Sequence, residues 1–206
     1  MLYRRLPPPF ERTGKEIGLR FGIRALAVNS DGRTFENNRY LAKSQKKISR
    51  LQRRVSRKPS GSANREKART ALAKAYEHVK NQKTDTLQKL TTHMVRDYDT
   101  VCVRNEELTK MIRRRPYAYL LSDAGWVEFT KLLRYKCGWY GKRYIEIDAK
   151  FPSVQLYSSC GSKNAALAEN KNIQEWACPK CGAKHERAKN AARNTLIEGL
   201  RSLTSE

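Results

Sequence analysis

Residues 16–32 read EIGLRFGIRALAVNSDG. Ile17, Leu19, Phe21 and Ile23 alternate with Gly18, Arg20, Gly22 and Arg24. That period of two predicts a strand buried on one face. Ala25 to Val28 prolong the apolar run, and Asn29-Ser30-Asp31-Gly32 is a hairpin-turn signal. One strand continuing to Val28 and ending in a hairpin turn is therefore expected to open the fold.

Helical periodicity follows. Leu41, Ile48, Leu51 and Val55 share one helix face, Pro59-Ser60-Gly61-Ser62 breaks it, and a second helix carries Leu72, Ala75, Val79, Leu87, Leu90 and Met94. Together they predict a long helical hairpin. From Arg39 to Arg69 it holds 12 basic residues and one acid, Glu66. A charged face with so few acids is not laced by salt bridges, so Lys46, Lys47, Arg50, Arg53, Arg54, Arg57 and Lys58 are read as phosphate contacts. Lys110 to Arg115 is a basic loop whose Arg113, Arg114 and Arg115 join that set.

Val101 and Val103, within residues 99–104, predict a short buried strand. Ser122 is a candidate N-cap for a helix carrying Trp126, Phe129, Leu133 and Cys137. Those aromatics read as core rather than as a base-stacking platform. Tyr144 to Asp148 reads as another strand. A polar, cysteine-rich segment covers 157–182, and a last helix from about Lys189 is expected to bury Ala192, Leu196, Leu200 and Leu203. Strands interleaved with helices predict an α/β sheet domain with a small insert near its C-terminal end. Residues 1–14, with Pro7 to Pro9 and no periodicity, read as a tail or as the stump of an upstream domain.

The whole chain agrees with a nucleic-acid partner. Its 206 residues carry 43 Lys and Arg against 20 Asp and Glu, a formal charge of +23. So strong a positive charge repels itself and is best explained by a polyanion. No apolar run of about 18 residues exists, so a membrane span is excluded. The first ten residues have no apolar signal region. Five cysteines, two of them in Cys178-Pro179-Lys180-Cys181, argue against a secreted disulfide scaffold and for a cytoplasmic protein.

The order of these pieces resembles one family. A strand with G-x-x-x-G, a turn with S-D-G, a basic hairpin ending in R-D-Y-D, a strand, then W-x-x-F and Y-K, are followed by F-P-S, C-G, C-P-K-C-G and H-E-R-x-x-N-A-A-x-N. From about residue 15 to 200 this is similar to the C-terminal half of the TnpB family of transposon-encoded RNA-guided nucleases, relatives of the type V CRISPR effectors. The resemblance implies an RNase H-like (RuvC-like) fold over 15–156, a zinc-ribbon insert over 157–182, and a helix over 183–206 completing the fold. It also implies an upstream wedge and recognition domain. A chain of this length has no room for that domain, so the expectation is either binding of RNA or DNA with little specificity or work with a separate protein chain that supplies it.

Members of that family cut DNA with three carboxylates, which hold two metal ions about 3.5–4 Å apart. The matching positions here hold Arg20, in Gly18-Leu19-Arg20-Phe21-Gly22; Arg104, after Val101-Cys102-Val103; and Ala188, in Arg187-Ala188-Lys189-Asn190-Ala191-Ala192. Arginine has no lone pair for a metal and repels one, whereas its guanidinium grips phosphate bidentately. The expectation is a nuclease without catalytic Mg²⁺ whose Arg20 and Arg104 hold a nucleic-acid strand. Related nuclease-dead proteins act as RNA-guided DNA binders that repress transcription, so a guide-like RNA and DNA are the expected partners. One alternative is an endonuclease using displaced acids: Glu106 lies two residues past Arg104 and Glu186 two before Ala188. Beside Arg20 nothing comparable stands; Glu16 and Asp31 are four and eleven positions away. A second alternative is a non-functional transposon remnant.

The family's zinc ribbon has four cysteines in two C-x-x-C pairs. Here Cys160, Cys178 and Cys181 stand, and Tyr157 occupies the fourth position. His185 is a candidate replacement, four residues beyond Cys181. Zinc wants four ligands, so the residues leave three readings open: a three-thiolate site with water, a Cys₃His site, or no zinc. Cys102 and Cys137 read as buried core thiols.

Overall fold

The computed structural model describes residues 8–22, 24–104 and 123–204. Ile23, Glu106, the Lys110 to Arg115 loop and Ser122 lie outside them. The elements run β1 (Glu16–Phe21), β2 (Ala25–Asn29), β3 (Thr34–Glu36), α1 (Tyr40–Ser56), α2 (Ala63–Asp97), β4 (Thr100–Arg104), α3 (Trp126–Trp139), β5 (Arg143–Ile147), α4 (Ala166–Glu169), β6 (Glu175–Ala177), β7 (Lys184–Glu186) and α5 (Arg187–Leu203). A five-stranded sheet has the order β3-β2-β1-β4-β5. Its β1–β2 and β2–β3 pairs are antiparallel, and its β1–β4 and β4–β5 pairs are parallel. It is the mixed α/β sheet with flanking helices that the sequence predicts.

Both faces of the sheet are covered, which changes the reading of β1. Ile17, Leu19 and Phe21 pack with Val101 and Val103 of β4, Leu87, Met94 and Val95 of α2, and Phe129 and Leu133 of α3. The other face belongs to α5. There Gly18 is buried rather than exposed. A Cβ on it would overlap the Ala192 carbonyl oxygen and lie 2.7 Å from the Leu196 amide nitrogen. Gly199 allows the same approach from the helix side, where a Cβ would stand 2.9 Å from Cys102 Cβ. Period two in this strand thus marks a close helix crossing, not a solvent face. Helix α5 responds with a small-residue face. Ala191, Ala192, Thr195 and Gly199 are buried, while Leu196, Leu200 and Leu203 are half-buried at its margins. The helix also starts earlier than expected, at Arg187.

The basic hairpin is present. Ile48 and Leu51 of α1 meet Ala75 and Val79 of α2 in a narrow seam. Helix α2 has 35 residues, roughly 50 Å at 1.5 Å per residue, and only its C-terminal part reaches the main core. Ser62 caps it by accepting from the Arg65 amide at 3.2 Å. Arg39, the N-cap of helix α1, has φ 48° and supplies no side-chain cap. Instead the Asp123 carboxylate accepts from the Leu41 and Ala42 amides at 3.0 and 3.3 Å. An acid far away in sequence thus anchors the base of the hairpin.

Part of the predicted tail is tied down. Phe10 stacks on Tyr140 with ring centroids 4.0 Å apart. The Thr13 and Gly14 amides donate to the Asp99 carboxylate at 2.9 and 2.7 Å, and buried Lys142 donates to the same group. Beyond β5, the β6–β7 pair forms a small ribbon with its own core of Tyr157, Leu167 and Cys178.

Candidate nucleic-acid interface

Strand alternation puts Arg20 and Arg104 on the α5 side of the sheet, with Gly18 and Cys102. The parallel register pairs Leu19 with Val103. Arg20 and Arg104 therefore follow side by side at the C-terminal ends of adjacent strands. They line a cleft of about 430 Å³ together with Lys150, Lys171 and Arg187. Among the described residues lining it, every ionisable side chain is cationic. Arg20 Nη1 donates to the Phe21 carbonyl at 2.9 Å. The Arg187 guanidinium donates to the carbonyls of Leu167, Asn170 and Ile173, so it also ties α5 to the insert. Ala188 is half-buried in the first turn of α5, directly after Arg187. The N-terminus of α5 adds partial positive charge to the same end of the fold.

Of the displaced acids, Glu106 lies outside the described residues. Glu186 is exposed at the end of β7 and does not line the cleft. On the hairpin, Lys46, Lys47, Arg50, Arg53, Arg54 and Arg57 are exposed, and Lys58 is half-buried. The single acid of that stretch, Glu66, pairs with Arg69 at 3.2 Å. Arg113, Arg114 and Arg115 lie outside the described residues. Trp126 and Phe129 are buried, as core residues should be, and so are Cys102 and Cys137, whose thiols burial pushes up to about 12.

The insert brings three thiols together. The sulfurs of Cys160, Cys178 and Cys181 all lie within 4.8 Å of one another, with Cys160 and Cys178 at 3.6 Å. Hydrogen bonding to Ser162 pulls the Cys160 thiol down to about 6, favouring the thiolate that a metal needs. Tyr157 does not reach toward ligation. It is buried, its hydroxyl accepts from Asn164 at 2.8 Å, and its ring stacks on His185. Among the described residues, His185 is not part of the three-sulfur group. Its ring packs against both Tyr157 and Trp176, which also pack on each other, and its Nε2 lies 3.2 Å from Ser159 Oγ. Burial lowers its pKa. Three soft donors on one small scaffold fit zinc or a comparable thiophilic ion.

Residues 3–115 match the family model OrfB_IS605, described as "Probable transposase". The chain belongs to this TnpB-type transposase family. Residues 126–195 of this family member match the Cas12f1-like TNB domain. A "Putative RNA-guided DNA endonuclease" of Streptomyces pristinaespiralis is 38% identical over 93% of the chain and 47% of its own length. The Escherichia coli protein named "Putative RNA-guided DNA endonuclease InsQ" is 28% identical over 93% of the chain and 50% of its own length. The chain thus spans about half the length of these curated relatives. A cryo-EM structure of a Cas12f1–sgRNA–target DNA complex superposes with a TM-score of 0.60 at 18% identity, over 90% of the chain and 50% of the neighbour. That likeness carries the fold, which is RNase H-like. No described helix is long and apolar enough to cross a membrane.

Within this TnpB-family fold, the structure brings together the two strand-end arginines and the three thiols that sequence reading named, whereas Ala188 does not line the cleft. Sequence reading missed Lys150, Lys171 and Ser159. Lys150 and Lys171 sit in irregular stretches, where no periodicity says which way a side chain turns. Ser159 is a hydroxyl between Tyr157 and Cys160, and only proximity to Cys181 and His185 singles it out.

Proposed function

We propose that this TnpB-family chain binds nucleic acid without cutting it, as a guide-RNA-dependent DNA binder whose strand-end cleft has exchanged metal ligation for phosphate contact. The observation that carries this reading is the cleft itself. Arg20 and Arg104 stand side by side with three further cations and no described acid. Two-metal hydrolysis needs carboxylate oxygens at such a place, and guanidinium groups there attract the phosphate that a metal-activated water would otherwise attack. The exposed hairpin bases supply a second, sequence-independent contact. In this reading base pairing selects the DNA and the bound complex blocks transcription.

The test pairs cleavage with binding. The purified protein, given Mg²⁺ or Mn²⁺ and supercoiled plasmid, is expected to leave it uncut. The combined variant Arg20→Asp, Arg104→Glu, Ala188→Asp is expected to bind DNA at least about tenfold more weakly. Nicking by the natural chain, or unchanged affinity in the variant, overturns the proposal. RNA recovered with the protein distinguishes guide binding from bulk charge. One dominant species with a constant scaffold supports a guide. Heterogeneous RNA released between about 50 and 200 mM salt means nonspecific association and rejects guided binding.

A further inference from the structure

The insert has three thiols and no fourth cysteine, so what completes a metal's coordination is a property of this chain's own residues. Tyr157 is spent in the satellite core, with its hydroxyl on Asn164. His185 packs in a three-ring cluster with Tyr157 and Trp176, with centroids 5.4 and 5.9 Å away. One polar atom stands between that imidazole and the sulfurs. Ser159 Oγ lies 3.2 Å from Cys181 Sγ and 3.2 Å from His185 Nε2.

We propose that Ser159 supplies the fourth, oxygen corner of a Cys₃Ser metal site, with His185 as the positioning residue behind it. In a tetrahedral zinc site, with Zn–S near 2.3 Å and Zn–O near 2.0 Å, ligand edges are roughly 3.8 Å for S···S and 3.5 Å for S···O. The Cys160–Cys178 separation of 3.6 Å and the Ser159–Cys181 separation of 3.2 Å are within a few tenths of those edges. Ser159 donates its hydroxyl hydrogen bond to His185 Nε2 and stays a neutral hydroxyl, which keeps its oxygen lone pairs for the metal. A ligand oriented by such an outer partner is a stronger donor. Ser159 is exposed, so the oxygen corner is also the open side of the site, where water can exchange with it. The inference stands independently of what the cleft binds.

The full chain is tested by zinc competition against a chromophoric chelator and by Co²⁺ absorption. The natural protein is expected to bind one Co²⁺ with tetrahedral bands and three-thiolate charge-transfer intensity. Ser159→Ala is expected to weaken zinc about 10–100-fold and to shift the Co²⁺ bands. Ser159→Cys is expected to tighten binding and to raise charge-transfer intensity by about a third, as three thiolates become four. His185→Ala should weaken zinc while keeping the three-thiolate intensity. The proposal fails if the natural chain binds no Co²⁺. It also fails if Ser159→Ala leaves affinity and spectrum unchanged, or if only His185→Ala removes a ligand band. Should His185→Ala unfold the ribbon, the two Ser159 variants still decide the matter, because that side chain packs in no core.

Discussion

The strand-end cleft and the cysteine ribbon both lean on helix α5, yet they relate to the fold in opposite ways. In the cleft, Arg20 and Arg104 stand at the ends of strands whose stability comes from elsewhere. Ile17, Leu19, Val101 and Val103 are fully buried, and none of them touches the chemistry. In the ribbon, Cys178 is at once a metal-type donor and one of three residues in the satellite core. Exchange of the polar groups is therefore cheap in the cleft and structural in the ribbon. A scaffold built on a twofold-covered sheet can carry acids or arginines at its strand ends. A ribbon of two three-residue strands buries too little to stand without a staple.

Gly18→Ala is the severest way to break this comparison, because it strikes the helix that both regions share. The added methyl would meet backbone of α5, and neither partner is the flexible end of a side chain. A loss of at least about 3 kcal/mol is expected. Thermal unfolding checks the size of the loss. Zinc and DNA binding should fail together.

Asn194→Ala is milder and more local. Its amide donates to the Ser153 and Leu156 carbonyls at 2.8 and 2.6 Å, and Asn190 holds Leu156 and Ser158 beside it. Removing Asn194 leaves buried carbonyls short of a donor and should cost about 2 kcal/mol. Limited proteolysis should then cut within 150–186 before it cuts the sheet. Simultaneous cutting of both would mean that the ribbon and the sheet form one cooperative unit.

How much of this was legible in the sequence follows the same divide. Strands β1 and β4, the hairpin, helix α3 and the cysteine spacing could be read because periodicity or fixed spacing records them. The double coverage of β1 could not. A glycine at the second-face position looks like a polar alternation until the helix above it is known. Leu196, Leu200 and Leu203 misled for the same reason, since a stripe of leucines outweighs a stripe of alanine and glycine on any hydrophobicity scale. Asp123 capping α1 and Asp99 binding Thr13 are contacts across 82 and 86 positions, and no local rule reports them.

Asp99 gives a pH-dependent test at the opposite ends of the parallel strands from the cleft. Its hydrogen bond from Lys142, with the Thr13 and Gly14 amides, holds its carboxyl well below its ordinary value near 3.8. The folded pKa lies below the unfolded one, so the native state binds this proton less readily. The stabilisation is complete above about pH 4 and is lost as pH falls further. About 1 kcal/mol is expected after allowance for the partly exposed carboxylate. Amide exchange at Thr13 and Gly14 should quicken below pH 4 before exchange in β4 does. Asp99→Asn should flatten that dependence.

The smallest effect on stability, and the sharpest on function, belongs to Arg20→Gln with Arg104→Gln. Both side chains are half-buried at strand ends, and the core packs on the opposite sheet face. Neutralising them also relieves repulsion in a chain of charge +23. Stability is therefore expected to move by no more than about 0.5 kcal/mol, in either direction. Binding should respond differently. If each guanidinium neutralises one phosphate, the slope of log affinity against log salt falls by about 2. Substituting four exposed hairpin bases, Arg50, Arg53, Arg54 and Arg57, by Gln should reduce the slope further and additively, because cleft and hairpin would hold different phosphates. A large loss of stability with an unchanged slope would reverse the comparison. It would make the cleft arginines structural and leave the hairpin as the whole of the nucleic-acid surface.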